Sequence, residues 1–130
     1  MQIRSVNESQ ISSLDSLLIL LREEDCGNLE NLELNQELRD VIKALVSRKD
    51  FKAKKGSLLR VPLIEGNLYL AGLGKSEKCN INTIRDSLTH GLRTIGRADN
   101  KNTCVILSHL KEYEGLGFAL GEASGLCSYT

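Results

Sequence analysis

The sequence predicts an α/β domain on three observations. Residues 67–75, Asn-Leu-Tyr-Leu-Ala-Gly-Leu-Gly-Lys, form an apolar strand that runs into a two-glycine turn, and an amphipathic helix follows within a few residues. Residues 16–22 are a continuous apolar run of strand length, suited to the middle of a sheet covered on both faces. Between these two, Leu34, Leu38, Val41, Ile42, Leu45 and Val46 recur at steps of three and four, which makes one apolar stripe on a helix.

The elements follow in order. Residues 1–6 read as a first, weakly patterned strand, and 7–13 as a polar connection. The buried strand at 16–22 leads into 23–31, an acidic stretch with Gly27 that reads as a solvated loop. The first helix comes next, with Asn31 and Asn35 as candidate caps. Glu33 and Glu37 near its start and Arg48 and Lys49 near its end suit the helix dipole. Residues 51–56 are basic and end in a turn glycine. Residues 57–64 read as a strand in which Pro62 cannot donate a ladder hydrogen bond, so this strand belongs at an edge or a bulge. Glu65-Gly66 marks a tight turn, and 67–73 is the antiparallel return.

The second helix is expected at 82–98, with Asn80 or Asn82 as its cap. Ile81, Ile84, Leu88, Leu92 and Ile95 form its buried stripe, and Arg85, Asp86, Thr89, Arg93 and Arg97 its wet face. Residues 103–108 are another buried strand. A last helix is expected from about Glu114, with Gly117, Gly121 and Gly125 on one face. Each glycine costs a helix about 1 kcal/mol relative to alanine, so that face is expected to approach a neighbour closely. The chain stops at Tyr129-Thr130 without a capping signal, and the helix is expected to be cut there.

Composition bounds the function. A chain of 130 residues fits one domain, spanning 1–130. With 41% hydrophobic residues, 4% aromatics, no Trp and 23 leucines, its core is aliphatic. Seventeen basic and seventeen acidic residues cancel, which argues against a dedicated nucleic-acid binder. The longest apolar run, 17–21, is too short to span a bilayer, and the N-terminus lacks a signal-peptide pattern, so a cytoplasmic protein is expected. Cys26, Cys79, Cys104 and Cys127 are scattered without a C-x-x-C pair and are expected as free thiols.

Three strings, in this order and spacing, are similar to a known family. They are Asp50-Phe-Lys-Ala-Lys-Lys-Gly56, Leu70-Ala-Gly-Leu-Gly-Lys75 and Gly121-Glu-Ala-Ser-Gly-Leu-Cys-Ser-Tyr129. Together with the element order, they resemble the N-terminal domain of the M17 leucyl aminopeptidases (cytosol aminopeptidases) over nearly the whole chain. Ala53 departs from the pattern, standing where the family often has glycine. The family's catalytic half, with its Asn-Thr-Asp-Ala-Glu-Gly-Arg signature and its metal-binding lysine and carboxylates, is absent from this sequence.

The resemblance implies a three-layer αβα fold like the macro domain, a mixed sheet between helices. It implies a parent enzyme that removes N-terminal amino acids with two divalent metal ions, Zn or Mn. It also implies a homo-hexamer with these domains at its corners. The chain's partners would be its own catalytic domain and sister subunits. Neither a cofactor nor a catalytic residue is carried onto this chain.

The remaining chemistry is sparse. His90, on the wet side of the second helix, and His109, at a strand end, are nineteen residues apart and have no metal spacing. Both read as solvated or capping histidines. There is no Gly-x-Ser-x-Gly elbow, and Cys104 and His109 would face opposite sides of one strand. Gly72 and Gly74 could expose backbone N–H groups beside Lys75 as an anion cradle. Gly-x-Gly at a strand end also arises from turn geometry alone. Two other readings attach to these features. One is a macro-like module binding ADP-ribose or a related nucleotide at Gly72–Lys75. The other is an accessory DNA surface on Arg48, Lys49, Lys52, Lys54, Lys55 and Arg60, which otherwise read as a solvated loop.

Overall fold

The computed structural model describes residues 3–5, 16–32, 36–63, 66–98, 103–106, 108–110, 112–113 and 115. The expected last helix with its three glycines, the candidate cap Asn35 and the turn at Glu65 lie outside them.

Strand β1 (Ile3–Ser5) precedes β2 (Ser16–Arg22), helix α1 (Gln36–Ser47), β3 (Leu58–Leu63), β4 (Gly66–Gly74), helix α2 (Ile81–Ala98) and β5 (Thr103–Ile106). The five strands form one sheet in the order β1-β5-β2-β4-β3. Every neighbouring pair is parallel except β3 and β4. The sheet is therefore mixed, with the single antiparallel pair at one side.

β2 is central for the reason its sequence announces: apolar residues point both ways. Leu17, Ile19 and Leu21 join Leu68 and Leu70 of β4 and Cys104 and Ile106 of β5 under Leu38 and Ile42 of α1. Leu18 and Leu20 join Tyr69, Ala71, Leu73 and Val105 under Ile84, Leu88, Leu92 and Ile95 of α2. The result is a three-layer αβα stack. Each fully buried leucine adds about 1.5–3 kcal/mol of transfer free energy. β3 is the outer strand, and its Pro62 is exposed there.

One helix end follows its sequence signal and another departs from it. At the start of α2, Asn80 Oδ1 accepts the Thr83 N–H at 3.1 Å, and Thr83 Oγ1 accepts the Asn80 N–H at 3.4 Å. Asn80 is thus the cap, in a reciprocal arrangement. At the end of α1, the Lys49 N–H donates to Val46 O and the Asp50 N–H to Leu45 O. That pair of bonds is a Schellman close, with Lys49 at φ 61° where glycine usually sits.

The stretch 23–31, expected as a loop, is two short 3-10 turns, Glu23–Gly27 and Leu29–Asn31. After α1, Phe51 and Ala53 are buried in the α1-side core, although the stretch around them is basic and exposed.

Candidate functional site

β2 and β4 are parallel neighbours, yet the chain leaves β2 for α1 on one face and leaves β4 for α2 on the other. Such a pair opens a crevice beyond the carboxyl ends of the strands, the usual place for a ligand in an open α/β sheet. Here side chains of the described residues tie the strand ends to one another.

Arg22, the last residue of β2, is the hub. Its Nε and Nη2 donate to the two carboxylate oxygens of Asp25 at 2.9 and 3.0 Å, and its backbone N–H donates to the same group at 2.9 Å. Nη1 donates to Glu112 Oε1 at 2.6 Å and to Tyr113 Oη at 3.4 Å, while Nη2 also reaches His109 O at 3.5 Å. The guanidinium lies 5.8 Å from the centre of the Tyr113 ring. A guanidinium has five N–H donors, and all five are spoken for. Asp25, foremost, raises the Arg22 pKa above its ordinary value.

Two further ties close the crevice. Glu24 Oε2 accepts the Ser76 N–H at 2.7 Å, joining the exit of β2 to the exit of β4, and that bond lowers the Glu24 pKa. The His109 ring donates from Nε2 to Leu20 O at 2.6 Å. Its Nδ1 is buried without a partner among the described residues, and burial lowers the pKa against the pull of the Leu20 carbonyl. Burial also raises the Cys79 thiol and pushes Cys26 up to about 11. Protonated thiols are poor nucleophiles. This cluster therefore ties strand ends together and presents no reactive group.

The glycine pair, expected as a turn, is the end of strand β4 and makes a different set of bonds. The Gly72 N–H donates to Ser57 O at 2.9 Å and the Gly74 N–H to Ala53 O at 2.8 Å, while Gly72 O accepts the Gly56 N–H at 3.3 Å. A Cβ on Gly72 would overlap the Lys54 carbonyl oxygen and Ser57 Oγ, and Gly74 sits at φ 83°. Both glycines are needed by the docking of residues 53–57 on β4, and their amide donors are spent on it. Lys75 is exposed beside them. Lys49, Lys52, Lys54, Lys55, Arg48 and Arg60 are all at the surface, with Phe51 anchored in the core.

One expectation needs correction. Asp25 is not a solvated loop carboxylate: it is 8% exposed and paired with Arg22. Of the two roles expected for His109, solvated or capping, the structure has the second: its ring caps the Leu20 carbonyl. Reading the sequence missed Arg22, Glu112 and Tyr113 altogether. An arginine closing an apolar run with an acid three residues on was the available signal, but Glu112 is 90 positions away.

Among the described residues, no three His, Cys, Asp or Glu side chains are grouped to hold a metal ion. No helix among the described residues is long and apolar enough to cross a membrane.

Among the described residues, architecture and strand-end cluster together define an α/β domain with a mixed five-stranded sheet between helices and cross-tied strand ends. The sequence matches the N-terminal domain of the cytosol aminopeptidase family over residues 18–130, and the chain belongs to that family. No curated protein matches it. Among solved structures, a lysine-to-glutamate mutant of leucine aminopeptidase from tomato superposes with a TM-score of 0.58 at 14% identity. The match covers 98% of this chain and 36% of that one, and at such identity it speaks for the fold alone.

Proposed function

We propose that this chain serves as the non-catalytic N-terminal domain of a metal-dependent aminopeptidase of the leucyl type. Its work there is assembly and shaping access to a catalytic half elsewhere in the parent. The observation that carries this is the family match over residues 18–130. The cross-tied strand ends, with the Arg22 donors spent on the protein's own groups, support a scaffolding role. On this reading the two divalent ions, zinc or manganese, belong to the catalytic half. The partners are that half and sister subunits of a cytoplasmic homo-hexamer.

The test is direct. The purified 130-residue chain, assayed on leucine p-nitroanilide with manganese, is expected to show no turnover. The parent protein is expected to hydrolyse the same substrate and to lose its hexameric mass when residues 1–130 are deleted. Metal-dependent turnover by the chain alone, or an undisturbed hexamer after the deletion, would overturn the proposal.

A further inference from the structure

A second concavity lies on the opposite side of the residue 53–57 dock from the α1-side core. It measures about 300 Å³ and is lined by Lys55, Ser57, Ala71, Asp86, Ser87 and His90, among others. That volume is at the small end of ligand sites and suits a small metabolite. Asp86 and His90 are one helical turn apart on α2 and exposed at the rim, while Ser87 and Ala71 are buried below them. Lys55 comes from the docked loop across the opening.

The chemistry of the lining selects the ligand. The three hydroxyls of the lining already spend their protons: Ser87 Oγ donates to Gly72 O at 3.3 Å, Ser57 Oγ to Lys54 O at 2.6 Å and Thr83 Oγ1 to Asn80 Oδ1 at 3.4 Å. Their lone pairs are left to accept, which favours an ammonium over an anion. The rim carries one fixed charge of each sign, and among the described residues neither Lys55 nor Asp86 is in an ion pair. This is the reverse of Arg22, whose every donor is consumed internally. A phosphate would meet Asp86, and a simple amine would meet Lys55. A molecule with both an ammonium and a carboxylate close together satisfies the two rim charges and the hydroxyl acceptors at once.

We propose that this cavity binds a small zwitterion, specifically a free α-amino acid. The site's charge pattern stands on the structure; the source of the ligand rests on the proposed aminopeptidase reading, in which free amino acids are the reaction's product. The N-terminal domain then carries a product-sensing position on the flank of α2, away from the strand-end crevice.

The experiment is an amide-shift NMR titration of the 130-residue chain with L-leucine. Its controls are 4-methylpentanoate, which lacks the amine, 3-methylbutylamine, which lacks the carboxylate, and inorganic phosphate. Leucine is expected to give saturable shifts at Gly56, Ser57 and Ser87. Each single-charge analogue and each of Lys55→Ala and Asp86→Ala is expected to weaken binding roughly tenfold, about 1.4 kcal/mol, the worth of one charged hydrogen bond. Both variants change exposed side chains, and unchanged spectra elsewhere will show that they fold.

No saturable shift up to about 10 mM leucine, the regime of the weakest specific sites, overturns the proposal. So does equal binding by the amine or by phosphate alone. Failure here leaves the peptidase reading intact, because that is judged by turnover of the parent. Binding of leucine to a chain whose parent is no peptidase keeps the site and removes only the assigned source.

Discussion

The two parallel strands at the centre of the sheet are finished in different ways. β2 ends in side chains: Arg22 gathers Asp25, Glu112, Tyr113 and the His109 carbonyl, and the His109 ring holds Leu20 O. β4 ends in backbone: Gly72 and Gly74 bond the carbonyls of Ser57 and Ala53. A side-chain tie tolerates changes of shape but answers to charge and pH. A backbone tie ignores both and cannot accept one extra carbon. The same sheet edge therefore has two independent sensitivities, and mutations can separate them.

The largest expected effect is on the backbone side. Gly72→Ala places a Cβ 2.6 Å from the Ala53 carbonyl carbon and against the Lys54 carbonyl. These are main-chain atoms, which no rotamer change can move. The loop must undock, with loss of the Gly72 and Gly74 bonds, and the expected cost is about 3 kcal/mol or more. Urea denaturation measures it. A loss below about 1 kcal/mol, the centre of ordinary substitutions, would mean that the dock yields freely and the contrast with β2 is false.

Next comes the side-chain tie. Arg22→Ala strands the Asp25 carboxylate in a site where it is 8% exposed, at an expected cost of about 2–3 kcal/mol. Glu112→Ala removes a partner that is 55% exposed, and the expected cost is below about 1 kcal/mol. Arg22→Ala with Asp25→Ala should be less harmful than the sum of the two single changes, because the buried charge then goes with its partner. Additive losses would show that the pair is not a unit.

These two ties also mark what the sequence could and could not disclose. Ile84, Leu88, Leu92 and Ile95 are all fully buried, since helical spacing alone puts them on one face. The run 16–22 was legible as a central strand because both of its faces are apolar. Gly72 and Gly74 were legible as constrained positions. What constrains them was not, because the obstacle is a loop about fifteen residues earlier in the chain. Asp25 was misread because composition reports an acidic run and cannot report that one of its members turns inward to a single arginine. Contacts at a separation of 90 residues leave no periodicity to find.

A smaller effect distinguishes the ties by pH. Burial holds the His109 imidazole below its ordinary pKa, and the charged groups facing it are Asp25, Arg22 and Glu112. The unfolded chain takes up the proton first, at about pH 6.5. The stability that His109 contributes is therefore complete above that pH and is lost as pH falls from about 6.5 toward the lower folded-state value. His109→Gln can still donate to the Leu20 carbonyl but does not titrate, so its stability profile over that window is expected to be flatter than that of the parent sequence. Chemical denaturation at a series of pH values gives both curves. Parallel curves would place the pH response outside this tie.

The smallest effect concerns two non-glycine residues with positive φ among the described residues, Lys49 at 61° and Ala53 at 56°. Lys49 precedes the loop that docks on β4 and Ala53 opens it, and glycine relieves about 1–2 kcal/mol of left-handed strain at either. It also returns about 0.4–1 kcal/mol to the unfolded chain. Lys49 is exposed and loses nothing else, so Lys49→Gly is expected to stabilise by about 0.5–1 kcal/mol, the difference of those terms. Ala53 is fully buried, and deleting its methyl costs about 0.8 kcal/mol more. The three terms nearly cancel, and Ala53→Gly is expected to change stability by less than about 0.5 kcal/mol. The alanine is thus held where the family often has glycine because its methyl fills the α1-side core as it closes the dock. Thermal melts of the two variants decide the matter. Equal stabilisation by both would show that the buried methyl contributes nothing and that the dock is held by hydrogen bonds alone.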